Sequence, residues 1–297
     1  TKRTAENAFL IFREGKKKIY TFKDRKELER KILKVLKNDK AVGVNFNIQH
    51  KRFLRLKKLL KGKRLYDASA YLNKLRSVKN EREIKLIKKA SKIADEIFSE
   101  IPRMLSYAKT ELALAKEIKK RIIDYGSIAF EPIVAVGKNS LQIHHKPENK
   151  KISKGKILLV DLGLSYKNYC CDITKCFAVG YATKNAKVLY EKVYDKFFEI
   201  RKLFIPGINT KEILERVREL KMPHALAHSI GLEVHEEPVI SEKRKQFKLK
   251  RNMVFALEPA LYSKKLGFGI RLETEIVVRK KPKILTKIQE EIPIVEI

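Results

Sequence analysis

The chain has 297 residues, with 68 Lys and Arg against 35 Asp and Glu, six His, three Cys and no Trp, for a formal net charge of +33 at pH 7. That length allows one large or two ordinary domains around a sizeable core. No apolar run approaches the ~18 residues of a membrane-spanning helix, and the opening TKRTAENAFLIF lacks a secretory apolar region and cleavage site, so a soluble cytoplasmic protein is expected.

The excess charge is spread through KKLLKGKRL, KNEREIKLIKKASK and SEKRKQFKLKR, without interleaved aromatics or a nucleic-acid module. It therefore reads as a general surface bias, and nucleic acid would be met only through that basic surface.

In chain order, AFLIF and KIYTF read as two short strands joined through REGKK, after which Asp24 caps a helix reaching about Leu36. The strand AVGVNF, a helix from about Gln49 to Leu60, and a strand with a capped short helix in RLYDASAYLNKL follow. These form a small α/β domain over residues 1–76. It carries no catalytic constellation, and its one histidine, His50, reads as an exposed helix residue.

Residues 77–297 form the second expected domain. It begins with the long amphipathic helix NEREIKLIKKASKIADEIFSEI, a second helix over about 111–124, and a strand in FEPIVAVG. The polar loop NSLQIHHKPENKKISKG leads to KILLVDLGLSYKNYCCDITKCF, read as an antiparallel hairpin turning at Lys167-Asn168. A turn around residues 165–168 places Asp161 roughly opposite Asp172, on one face. Burying two carboxylates together costs several kcal/mol per ion unless a cation lies between them, so a metal explains the pair economically. The alternative is that either aspartate faces solvent at a strand end. Cys170, Cys171 and Cys176 lack a C-x-x-C pair and read as small buried residues in a reducing compartment.

Downstream come a helix over 184–204 with a Tyr and Phe stripe, a helix in TKEILERVREL, and a strand-rich remainder. Five of the six histidines fall in two segments, His144 and His145 in one and His224, His228 and His235 in MPHALAHSIGLEVHEEP. With Glu258 in FALEPALY and Glu273 in GIRLETEIVV they are the ingredients of a metal site, although Glu273 or Glu275 could equally be the solvent half of an alternating strand.

The succession D-L-G…D-I-T, H-x-x-x-H-S-I-G-L-E-V-H-E, L-E-P-x-L-Y and I-R-L-E resembles the dinuclear-metal peptidases of the prolidase, aminopeptidase P, creatinase and methionine aminopeptidase family, over residues 80–297. The resemblance implies a pita-bread α/β catalytic domain preceded by a shortened creatinase-type N-terminal domain. It makes Asp161, Asp172, His228, Glu258 and Glu273 the ligands of two divalent ions, with Asp172 and Glu273 bridging. Mn²⁺ or Co²⁺ is expected first and Fe²⁺ or Zn²⁺ next. Glu258 doubles as proton shuttle, His144, His224 and His235 contact the peptide substrate, and Arg271 supports the ligands.

Arg271, His224 and the extra domain favour the Xaa-Pro branch over methionine aminopeptidases. Ala227, Ser229, Ala260, Ile143 and Thr274 depart from the family pattern without removing a ligand. The implied protein is a cytoplasmic homodimeric Xaa-Pro dipeptidase or aminopeptidase. The alternatives are another aminopeptidase of this fold and a non-catalytic RNA- or ribosome-binding protein, against which the intact ligand set argues.

Overall fold

The structure, a computed structural model, describes residues 8–13, 16–45 and 48–297. The segment before Ala8, residues 14–15 of the REGKK connection, and residues 46–47, the last of the AVGVNF run and the one after it, lie outside the described residues. The chain divides into two compact units, Thr1–Leu72 and Asn73–Ile297.

In the first unit, β1 (Ala8–Arg13) pairs antiparallel with β2 (Lys16–Thr21). Helix α1 (Arg25–Val35) starts where Asp24 accepts the Glu27 N–H, which satisfies one of the donors a helix N-terminus leaves open. Strands β3 (Ala41–Val44) and β4 (Arg64–Asp67) are parallel. Parallel strands need a crossover, and α2 (His50–Leu59) supplies it, with His50 exposed in its first turn. Helix α3 (Ser69–Ser77) follows and carries the chain past Leu72 into the second unit.

In the second unit, α4 (Glu81–Leu105) opens with a full capping box between Asn80 and Glu83, and buries Ile84, Ile87, Ala90, Ala94, Ile97 and Ile101 along one stripe. Helix α5 (Glu111–Tyr125) is capped by Thr110. The strands are β5 (Ser127–Ile128), β6 (Ile133–Val136), β7 (Ile157–Leu162), β8 (Leu164–Tyr166), β9 (Tyr169–Cys170) and β10 (Ile173–Val179). Helices α6 (Lys184–Ile200) and α7 (Thr210–Val217) precede β11 (Ala227–Ser229), β12 (Glu236–Ile240), β13 (Val254–Leu257), β14 (Ala260–Ser263), β15 (Phe268–Arg271), β16 (Thr274–Val277), β17 (Lys283–Ile284) and β18 (Ile294–Val295).

Two sheets organise this unit, in the orders β18-β10-β7-β6 and β12-β11-β13-β16-β17. Helices α4 and α5 pack against the first through Ile97, Ile101, Leu158 and Val160. Residues of α6 and α7, including Phe197, Ile213 and Leu214, pack against Phe255 and Ile276 of the second. Strand β7 is buried at all six positions, which is why ILLVDL is a nearly unbroken apolar run.

The hairpin turns where expected, with Lys167 and Asn168 both at positive φ (50° and 68°), the backbone that a two-residue type I′ turn demands. Its register differs from expectation. Asp161 pairs with Thr174, and Asp172 falls just before β10 begins. A turn centred between 167 and 168 slides the second arm by two residues, so the aspartates are diagonal neighbours on the same face.

Candidate metal centre

The nine residues singled out in the sequence, Asp161, Asp172, His144, His224, His228, His235, Glu258, Arg271 and Glu273, all line one cleft of about 460 Å³. Strand ends deliver them. Asp161 is the penultimate residue of β7 and Asp172 immediately precedes β10 in one sheet. His228 is the middle of β11, Glu258 directly follows β13, and Glu273 sits between β15 and β16. The Glu273 N–H donates to the Thr174 carbonyl at 3.1 Å, and this bond brings Glu273 against the strand that follows Asp172.

Asp161, Asp172 and Glu273 each place one oxygen within 4.8 Å of the others, and His228, Glu258 and Glu273 do the same, so Glu273 belongs to both groups. Asp172 also forms a group with His228 and His235. His228 Nε2 lies 3.4 Å from Asp172 Oδ2 and 3.9 Å from Glu273 Oε1. Its Nδ1 is 3.3 Å from the Ser229 carbonyl, which can only accept. Nδ1 therefore donates there, and Nε2 is the ring nitrogen that faces the two carboxylates.

Burial raises the pKa of Asp161, Asp172 and Glu273 above the ordinary carboxylate range, with neighbouring carboxylates adding to the rise for Asp172 and Glu273. Burial, and then the charge of Glu273, pushes Glu258 up to about 8. Asp161 Oδ1 and Asp172 Oδ1 are buried without a hydrogen-bond partner. A buried acceptor left unpaired costs ~1–3 kcal/mol, more when charged. Unpaired carboxylate oxygens, crowded carboxylates and an imidazole nitrogen turned towards them are the donor set of a divalent-cation site, and these residues fit one.

Around this set lies a relay that motif order alone does not reveal. Arg271, 2% exposed, donates from Nη2 to Asp161 Oδ2 at 2.6 Å and from Nε to Thr174 Oγ1 at 2.9 Å. Thr174 in turn donates to Glu273 Oε2 at 2.6 Å. Arg271 Nη1 reaches Tyr262 Oη at 3.2 Å, and Tyr262 Oη lies 3.0 Å from His224 Nε2. His224 Nδ1 meets the Ala225 carbonyl at 2.8 Å, so Nδ1 is the protonated nitrogen and Nε2 accepts from the tyrosine. Burial lowers the His224 pKa to about 4, consistent with this neutral ring.

Thr174, Tyr262 and Glu275 were not among the expected site residues. Glu275 is fully buried, accepts the Asp172 N–H at 2.6 Å and takes the Ser91 hydroxyl at 2.8 Å. The solvent-facing alternative for Glu273 and Glu275 is thereby excluded, because both are buried and the strand that begins just after Glu273 and bears Glu275 is covered on both sides, so alternation carries no information there. Alternation did hold a signal for Thr174, two residues after Asp172 on the same face. The three cysteines are buried and free, and none joins a metal-competent group among the described residues.

A model of metallopeptidase family M24 matches residues 85–280. The chain is 31% identical over 270 residues to the Xaa-Pro dipeptidase of Pyrococcus horikoshii, covering 87% of this chain and 76% of that protein. It is 38% identical over 222 residues to an uncharacterized peptidase of Methanocaldococcus jannaschii, covering 70% of this chain and 63% of the relative. Among solved structures, a dipeptidase from Pyrococcus horikoshii OT3 superposes with a TM-score of 0.82 at 35% identity, covering 90% of this chain and 77% of the other. An X-Pro aminopeptidase from Thermotoga maritima does so at 0.81 and 28%, covering 90% and 78%.

Proposed function

From the premise that this chain belongs to metallopeptidase family M24, carries its pita-bread α/β fold and is a metallo-exopeptidase, we propose that it releases the first residue from peptides with proline in second position. The relatives named as Xaa-Pro dipeptidases and the X-Pro aminopeptidase neighbour support that substrate class. The observation that carries the reading is the convergence of five ligand-type side chains on one cleft, two of them with unpaired buried oxygens.

Asp161, Asp172, His228, Glu258 and Glu273 would hold two divalent ions, with Asp172 and Glu273 shared between them; Glu273 belongs to both of the close groups built from these five residues. When bound, such a pair polarises the scissile carbonyl and makes a water molecule acidic enough to attack near neutral pH. The protein's own work is positioning and proton handling. An ionised Glu258 carboxylate, whose proton affinity is raised by burial and by the charge of Glu273, can take a proton from the attacking water and return it to the leaving nitrogen. His144 and His235 line the cleft, where an imidazole N–H can donate to the carbonyl oxygen as negative charge develops. Phe130, Ile143 and Val239 give the cleft apolar walls. These suit a proline ring, whose peptide bond brings no N–H to satisfy.

Stripping the protein of metal, then restoring Mn²⁺ or Co²⁺ against Xaa-Pro dipeptides, Xaa-Pro-Yaa tripeptides and Met-Ala-Ser, tests the reading. Metal-dependent release of the first residue from the proline peptides is expected, and cleavage of Met-Ala-Ser alone would overturn the substrate assignment.

A further inference from the structure

Glu111, the first residue of α5, is fully buried, yet it lies outside the cleft and outside the ligand set. Its carboxylate gathers donors from one loop. Oε1 accepts the Val136 N–H at 2.7 Å and Asn139 Nδ2 at 2.9 Å. Oε2 accepts Asn139 Nδ2 at 3.1 Å, His145 Nε2 at 2.8 Å and the Glu148 N–H at 3.2 Å. Glu111, His145 and Glu148 come close enough together to enclose a cation, but donors already occupy both Glu111 oxygens, so this cluster is a clamp rather than a metal site.

The clamp holds the 137–148 loop, which lines the cleft from residue 143 to residue 147 and presents the exposed side chains of His144 and Lys146 there. His144 is the exposed imidazole of the two. On its C-terminal side, the buried ring of His145 is tied to Glu111. On its N-terminal side, the Ile143 carbonyl accepts from Arg271 Nη1 at 3.4 Å. Consecutive residues 143–145 are thus gripped from two directions, with the middle one free to face substrate.

We propose that Glu111, acting through His145, is a positioning residue that sets where the His144 ring sits in the cleft. The proposal rests on the peptidase reading above for its kinetic consequence, though not for its structural one. A charged acceptor taking this many donors in a low-dielectric interior fixes its loop, because each donor would otherwise be buried unpaired. Glutamine at 111 would turn an amide donor towards donors. Glutamine at 145 would keep an N–H in reach of Glu111.

The test is a double-substitution cycle on the metal-loaded enzyme, read by kcat on an Xaa-Pro peptide, with metal content measured alongside. Glu111→Gln is expected to lower kcat about tenfold at unchanged metal content, the lower end of what supporting contacts contribute. In a His144→Ala background the same change is expected to cost less than about twofold, because residues acting through one another are not additive. His145→Gln should keep most activity where His145→Leu does not. Equal losses from Glu111→Gln in both backgrounds, or no loss in either, would overturn the proposal.

Ring ¹H–¹³C spectra of histidine-labelled protein, with His144 identified by its disappearance in His144→Ala, give a readout that needs no turnover. The His144 signal is expected to shift or broaden in Glu111→Gln, and an unchanged signal overturns the proposal. A wild-type protein that leaves Xaa-Pro peptides intact defeats the functional reading instead, and the spectra still decide the position of the ring.

Discussion

Arg271 and Asp161 form a buried pair 2.6 Å apart in which only one carboxylate oxygen is engaged, and the other is left without a partner. Arg271 also reaches Thr174 and Tyr262, and through Thr174 it is joined to Glu273. The arginine therefore orients one proposed ligand from each sheet while leaving one oxygen of Asp161 unpartnered, where a cation would be held. Lysine would keep the charge and lose the planar fork. Arg271→Lys is expected to reduce metal affinity by about 10–100-fold, the effect typical of contacts that orient ligands. Isothermal titration with Mn²⁺ checks this, and unaltered affinity would show that the fork is dispensable.

Thr174→Val is a finer probe of the same relay. The change preserves shape but removes the hydroxyl that accepts from Arg271 and donates to Glu273. Leaving buried groups unpaired costs ~1–3 kcal/mol, so the variant should unfold at lower denaturant concentration than wild type and bind metal more weakly. Serine at 174, which restores the hydroxyl, should recover most of the lost affinity.

Metal removal should make stability depend on pH in a definite direction. Asp172 and Glu273 are raised by burial and by neighbouring carboxylates, Glu258 is pushed up to about 8, and burial pushes Glu275 up to about 7. Without metal, the folded state holds protons on these carboxyls that the unfolded chain has released, so their contribution to stability is greatest below the ordinary carboxylate range and is lost as pH rises through these folded values. Divalent ions held by the proposed ligands would replace those protons. Melting curves in chelator should fall in Tm from about pH 5 to about pH 8, the window between the ordinary carboxylate value and that of Glu258, while Mn²⁺ should raise Tm more at the upper end. A metal-induced shift independent of pH would contradict the assignment of these carboxylates as ligands.

Lys79 and Glu236 offer a prediction away from the ligands themselves. Lys79, 2% exposed, reaches Glu236 Oε2 at 3.2 Å and Ser229 Oγ at 2.8 Å, while Glu236 also binds Arg76 and the Leu232 N–H. These contacts tie the residues next to His228 and His235 to the start of α4. Removing one partner of a buried pair costs ~3–5 kcal/mol, so Lys79→Met should lower the urea midpoint sharply. A midpoint within error of wild type would mean that Arg76 alone satisfies Glu236.

Local rules made much of the chain readable. The Asp24 cap, the apolar stripe of α4 and the Lys167-Asn168 turn each follow from a few neighbouring residues. Long-range pairing was less accessible. A two-residue error in hairpin register left both aspartates on the correct face and so left no trace in the alternation. Glu275 and Glu111 were invisible for a related reason, since a charged residue in a strand or at a helix start reads as exposed unless its distant donors are known. The gathering of nine residues from two sheets around one cleft could be anticipated only through the ordered motif, because no periodicity relates positions 100 residues apart.

The central claim is that Asp161, Asp172, His228, Glu258 and Glu273 share two cations. Anomalous diffraction at the manganese edge from crystals grown with saturating Mn²⁺ tests it most directly. The account predicts two peaks in the cleft, both within coordination distance of Asp172 and Glu273, and neither present in Asp172→Asn. A single peak elsewhere, or two peaks that persist in Asp172→Asn with hydrolysis intact, would contradict it.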